Sequence, residues 1–169
     1  SVLAAMVQRF EAAWREADAT RLPGVKLDEA QAITLASIIE KETGRPEERP
    51  RISCVFHNRL RRGMRLQTDP TVMYATMLRN GGRWSQNITR ADLLAPHPYN
   101  TYMVAGLPPG PIASPGEAAL RAAVHPAACD DLYFVSRNDG THVFCPDLRC
   151  HNAAVRRWQV EFFRARRGR

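Results

Sequence analysis

The chain has 169 residues, 44% hydrophobic and 24% charged, enough for one domain with a real core. No run approaches the roughly eighteen apolar residues of a membrane span, and Ser1 opens no signal-peptide pattern, so a start this abrupt fits an excised domain. The formal charge of +7 fits an anionic partner or an arginine-solvated surface. The basic runs "RLRRGMR" and "FFRARRGR" carry no interleaved aromatic ladder, which argues against nucleic acid and for the solvated surface.

In chain order, Val2, Leu3, Met6, Val7, Phe10 and Trp14 recur like one face of an amphipathic helix that docks on something else. A second helix is predicted from Asp28, its N-cap, to Gly44, with Ala32, Leu35, Ala36 and Ile39 as the buried stripe. "RPEERPRISCVFHNRLRRG" reads as a helix with an acidic first turn and an apolar face of Ile52, Val55, Phe56 and Leu60. "QTDPTVMYATML" starts another, with Asp69 as N-cap and Pro70 at the first helical position. After a glycine-containing loop and a short turn of helix at "TRADLL", "YNTYMV" has β character and "GLPPGPIASPG" is a rigid loop. Ser114 and Glu117 have capping-box spacing ahead of a helix that stops at Pro126. "LYFVSRNDGTHVF" reads as a hairpin around "NDG", and a basic helix from about His151 closes the chain. The fold class is α+β: one mostly helical domain over residues 1–169 with a small antiparallel sheet.

Glu40 raises the chemical question. On a 3.6-residue period it shares a face with Ile33, Ala36 and Ser37, while Glu42 lies about 200° away and is expected to face water. An acid at the edge of an apolar core has its pKa raised by desolvation, as a general acid at neutral pH requires. Equally, Glu40 could pair with an arginine and lock the helix. Gln67, Thr68 and Asp69 precede a helix start, where free amides favour anionic or hydroxylated ligands, although Asp-Pro there is also ordinary capping. "YNTY" could present amide and phenol groups to a sugar or be a strand end, and "GLPPGPI" could hold a cleft wall or simply turn.

"ASIIEKETG", "NRLRRGMRLQTDPTVMYA", "YNTYMVAGLPPGPIASPG", "AAVHP" and "LYFV", "GTHVF" and "HN" follow one another in order. Together they resemble the catalytic domain of the YceG-like family, the endolytic murein transglycosylases, over residues 2 to 160. The resemblance implies a lytic transglycosylase that cuts between N-acetylmuramic acid and N-acetylglucosamine inside peptidoglycan strands and leaves 1,6-anhydro ends. It implies Glu40 as catalytic acid, with Gln67, Thr68, Asp69, Asn100 and Tyr102 as substrate-binding residues. It also implies an N-terminal membrane helix and a LysM-like domain, both missing from this chain. The catalytic domain would then lie on the periplasmic or wall side of the inner membrane, beside wall-synthesis enzymes. A lysozyme-like hydrolase using Glu40 and Asp69, or a silent glycan-binding module, are the other functions weighed.

No cofactor is expected: no lysine sits in a setting suggesting a pyridoxal phosphate Schiff base, and there is no phosphate-binding glycine loop. "HVFCPDLRCH" brings His142, Cys145, Cys150 and His151 within ten residues. The two-histidine pattern of the family does not require the cysteines, so a Cys145–Cys150 disulfide is favoured over free thiols and over zinc. Cys54 and Cys129 are expected to be inert, and no metal site is assigned.

Overall fold

A computed structural model describes residues 1–167. Its helices are α1 (Val2–Ala19), α2 (Glu29–Glu42), α3 (Arg49–Arg61), α4 (Asp69–Arg79), α5 (Arg90–Leu94) and α6 (Glu117–Val124). Strands β1 (Tyr133–Ser136) and β2 (His142–Cys145) follow, then α7 (Leu148–Val155) and α8 (Phe162–Arg167). A 3-10 turn, Pro46–Glu48, leads into α3, and a π-helical segment, Arg156–Glu161, joins α7 to α8.

α2 is the axis of the domain. Asp28 caps it, accepting from the Gln31 amide at 2.8 Å while the Gln31 side chain accepts from the Asp28 N–H at 3.0 Å, so both orphan donors are satisfied. Ala32, Leu35, Ala36, Ser37, Ile38 and Ile39 are all fully enclosed. Such a helix is not amphipathic with one wet face. α6, α3 and α4 pack around it, and α1 packs on α6. Complete burial of Leu35, Ile38 and Ile39 contributes about 1.5–3 kcal/mol each relative to exposure. The docking of α1 uses its second half: Trp14 and Ala17 are buried, whereas Val2, Leu3, Met6 and Val7 are exposed.

The strands pair antiparallel with Phe134 opposite Phe144 and Ser136 opposite His142, forming the two-stranded hairpin expected around "NDG". Asn138 and Gly140 take positive φ in that turn, 65° and 88°. Phe134 meets Phe56 of α3 edge to face at 5.9 Å, which ties the hairpin to the helical core.

Local expectations are corrected at three places. Residues 101–103 form a turn and not a strand, because Asn100 is spent on local backbone: its Nδ2 donates to the carbonyls of Asp92, Leu93 and Ala95. Gly116, not Ser114, is the N-cap of α6, and no side chain of that segment closes the capping box. Thr68 rather than Asp69 holds the N-cap position of α4, which places Asp69 in its first turn with Pro70 beside it.

Both cysteine pairs are disulfides: the expected Cys145–Cys150, and Cys54–Cys129, 75 residues apart. The second joins α3 to the segment before β1. Its separation leaves no local spacing from which pairing could be read, which is why the sequence suggested inert thiols. Among the described residues no cluster of three or more His, Cys, Asp or Glu side chains could hold a metal ion.

Candidate active site

A cavity of about 520 Å³ opens between the C-terminal end of α2, the start of α4, the hairpin and α7. Glu42, Arg59, Leu66, Gln67, Asp69 and Tyr102 line one side. Tyr133, Phe134, Ser136, His142, Leu148, His151 and Gln159 line the other.

Glu42 belongs to this cavity and Glu40 does not. Glu40 pairs with Arg49 of α3 at 3.1 Å and accepts the Gly116 backbone N–H at 2.8 Å. The Gly116 N–H is the group that a glutamate three residues into α6 would take in a capping box; here α2 supplies the carboxylate instead. A Cβ on Gly116 would stand 3.3 Å from Glu40 Oε2, so the approach is close. Glu40 thus makes the helix-locking ion pair that its spacing left open, and it does not line the cavity. The expectation that Glu42 faces water is corrected in part: its side chain is half-buried and lines the cavity, while Lys41 beside it is exposed.

The Glu42 carboxyl is pushed up from 4.5 to about 7. Burial is the largest cause, and the charge of Asp69 adds to it. The Thr68 hydroxyl and the Arg59 guanidinium act in the opposite direction. Thr68 Oγ1 is buried and closes no hydrogen bond of good geometry, so it relieves the carboxyl only in part. Glu42 is also the last residue of α2, at the negative end of the helix dipole, an unfavourable place for another negative charge.

The end of α2 is held from outside. Thr43 leaves the helix in extended conformation, and its hydroxyl lies 3.4 Å from Glu48 Oε2. Glu48 in turn accepts the His142 backbone N–H at 2.9 Å and pairs with His142 Nδ1 at 2.7 Å. Thr43, Glu48 and His142 therefore fix the helix end that carries Glu42 against β2.

Of the other expected site residues, Gln67, Asp69 and Tyr102 reach the cavity. Gln67 holds φ at +50°, a left-handed conformation uncommon for a residue with a side chain, and its N–H donates to the Thr101 carbonyl at 3.2 Å. The Tyr102 hydroxyl donates to Asp69 Oδ1 at 2.5 Å. Burial first, then the Asp69 bond, pushes the phenol far above its usual range, so it stays protonated. Thr68 stands beside Glu42 without lining the open volume, its N–H donating to Thr101 Oγ1 at 3.1 Å. Asn100 is enclosed and bonded to backbone, with its Oδ1 accepting from the Tyr102 N–H at 3.0 Å. It shapes the Tyr102 turn and has nothing left for a ligand. The proline loop turns against α2, where the Ile112 N–H donates to Ser37 Oγ at 3.0 Å, and forms no wall of the cavity.

Sequence reasoning missed Arg59. Its buried guanidinium donates to the carbonyls of Leu132, Arg65 and Leu66 at 2.7, 3.0 and 3.0 Å, and it lies over the Tyr133 ring. It joins the approach to α4 with the hairpin and leaves one positive charge on the cavity wall. An arginine two and three places before the basic Arg61 and Arg62 gives no sign that it alone turns inward.

The model of the YceG-like family matches residues 1–157. The chain is 41% identical over 133 residues to the endolytic murein transglycosylase of Bacillus subtilis, covering 79% of this chain and 36% of the relative. It is 39% identical over 111 residues to the enzyme of that name from Streptococcus pneumoniae, covering 63% of this chain and 19% of the relative. The solved structure of a yceG-like protein from Listeria monocytogenes superposes with a TM-score of 0.69 at 36% identity, covering 88% of this chain and 44% of that one. The chain thus spans about a third or less of the length of these curated relatives. With the family model matching nearly its whole length, the chain belongs to the YceG-like family.

Proposed function

We propose that the chain carries an endolytic lytic transglycosylase activity on peptidoglycan, with Glu42 in place of Glu40 as its acid and base. The observation that carries this is Glu42 itself: one carboxyl on the wall of an open cavity, with its pKa raised to about 7. A group poised there can give a proton and take one back at neutral pH.

Glu42 protonates the glycosidic oxygen as the bond from that oxygen to C1 of the N-acetylmuramoyl sugar breaks. The carboxylate left behind accepts the proton of the same sugar's 6-hydroxyl, whose oxygen closes on C1. The proton account balances, no water is consumed, and the ends are a free 4-hydroxyl and a 1,6-anhydro sugar. An intramolecular nucleophile needs no second carboxylate to activate water. Asp69 is the only other acid on the wall among the described residues, and the Tyr102 hydroxyl occupies one of its oxygens. Gln67, Asp69 and Tyr102 then bind the strand and hold the electrostatics around Glu42.

The relatives' name supports peptidoglycan as substrate. Two disulfides support an oxidising location; the wall side of the inner membrane, beside the enzymes that build the strands, is the location that belongs with the proposed reaction. No helix among the described residues is long and apolar enough to cross a membrane, so anchoring would come from a segment outside this chain. Digestion of purified sacculi followed by mass spectrometry tests the reaction. Anhydro-muramoyl ends are expected. Reducing ends would replace the transglycosylase with a hydrolase in which Asp69 activates water.

A further inference from the structure

The pair "HN" at residues 151–152 has no place in the chemistry above, yet His151 lines the cavity that holds Glu42. Its two ring nitrogens are in different situations. Nδ1 is sealed from solvent and has no hydrogen-bond partner; Nε2 is not sealed. The ring is stacked against Tyr133, with centroids 4.9 Å apart and planes 33° from parallel.

This asymmetry fixes the tautomer. A neutral imidazole has one N–H donor and one lone-pair acceptor. A buried donor without an acceptor is the rarer and costlier orphan, so the proton belongs on Nε2 and the bare lone pair on Nδ1. Burial, reinforced by the Arg59 charge, lowers the His151 pKa and keeps the ring neutral. The backbone around it is braced. Asp147 caps α7 by accepting the Cys150 N–H at 2.8 Å, and Cys150 is bonded to Cys145 at the end of β2.

We infer that His151 is a substrate-binding residue: its Nε2–H faces the cavity and donates a hydrogen bond to an acceptor oxygen of the glycan segment seated against Glu42. This rests on the glycan-cleaving function proposed above. It gives the hairpin side of the cavity a polar contact to match Gln67 and Tyr102 opposite.

Three substitutions separate a hydrogen bond from packing. His151→Phe keeps the ring against Tyr133 and removes both nitrogens. His151→Gln places an N–H₂ near the Nε2 position, and His151→Asn places one near Nδ1. Loss of one neutral hydrogen bond predicts a roughly fivefold to tenfold rise in KM for His151→Phe. kcat should change little, His151→Gln should recover most of the loss, and His151→Asn none. A wild-type KM for His151→Phe, or a His151→Gln protein no better than His151→Phe, overturns the assignment.

Ring nitrogen NMR on unsubstituted His151 gives a reading that does not depend on the variants folding. In Glu42→Gln protein, expected to bind without cutting, we expect the neutral Nε2–H tautomer and a shift of the Nε2 resonance on adding soluble glycan strands. An Nδ1–H tautomer, a charged ring, or a silent Nε2 while Gln67 and Tyr102 respond would overturn the role of His151 alone. Silence at every cavity residue would overturn the glycan-binding function and this contact together.

Discussion

Holding a carboxyl's proton up to about pH 7 makes the fold as well as the chemistry respond to pH. Folded Glu42 binds its proton more tightly than the unfolded chain does, so the associated stability is fully present below pH 4.5 and is lost as pH rises through about 7. Allowing for partial solvent access, the loss is on the order of 2 kcal/mol. Glu42→Gln, which cannot ionise, should therefore unfold at higher denaturant than wild type at pH 8. Near pH 4 the two should coincide. Urea melts at the two pH values check this, and an advantage of the variant that did not grow with pH would contradict it. The same titration should limit the wild-type rate, with cleavage falling off above about pH 7 as the acid form is lost. Neither effect could be read from "EKE" alone. The two glutamates look alike in sequence, and what distinguishes them is a glycine N–H 76 residues away for Glu40 and a desolvating cavity for Glu42.

At the scale of elements, the two disulfides should separate stability from activity. In the chain-entropy account a 75-residue loop closed by Cys54–Cys129 contributes roughly 4–5 kcal/mol, and the five-residue loop of Cys145–Cys150 about 2 kcal/mol. The double variant Cys54→Ala, Cys129→Ala should lose more Tm and keep its KM at 25 °C. The double variant Cys145→Ala, Cys150→Ala should lose less Tm yet raise KM, because α7 carries Leu148 and His151 to the cavity. Thermal melts beside KM measurements test the contrast, which would fail if both variants changed KM alike. Elements were largely legible: the Asp28 cap, the "NDG" hairpin and most helix positions follow from local chemistry. The failures have particular causes. "YNTYMV" turns because Asn100 bonds nearby carbonyls of the α5 region, and the helix start expected at Ser114 lies at Gly116, whose N–H donates to Glu40. Local propensity cannot register such competition.

For the molecule as a whole, the α+β class and the family were legible, because long motifs survive in order along the chain. The cavity was legible in part. Gln67, Asp69 and Tyr102 come from recognisable segments, but Arg59, His151 and the Thr43–Glu48–His142 brace join residues up to 94 positions apart. The net charge of +7 belongs to this scale too. With arginines that solvate the surface, KM should stay within about twofold between 50 and 500 mM NaCl. A KM that rises severalfold with salt would instead mark an electrostatic contact with an anionic strand. The assignment of the acid is tested most directly by digesting sacculi with wild type, Glu42→Gln and Glu40→Gln side by side. We expect Glu42→Gln to lose at least about a hundredfold in rate while remaining folded. Glu40→Gln should keep most of its activity at 25 °C and give up about 1–3 kcal/mol of stability through the weakened Arg49 and Gly116 contacts. A folded Glu40→Gln protein without activity, beside a Glu42→Gln protein that still cuts, would contradict it.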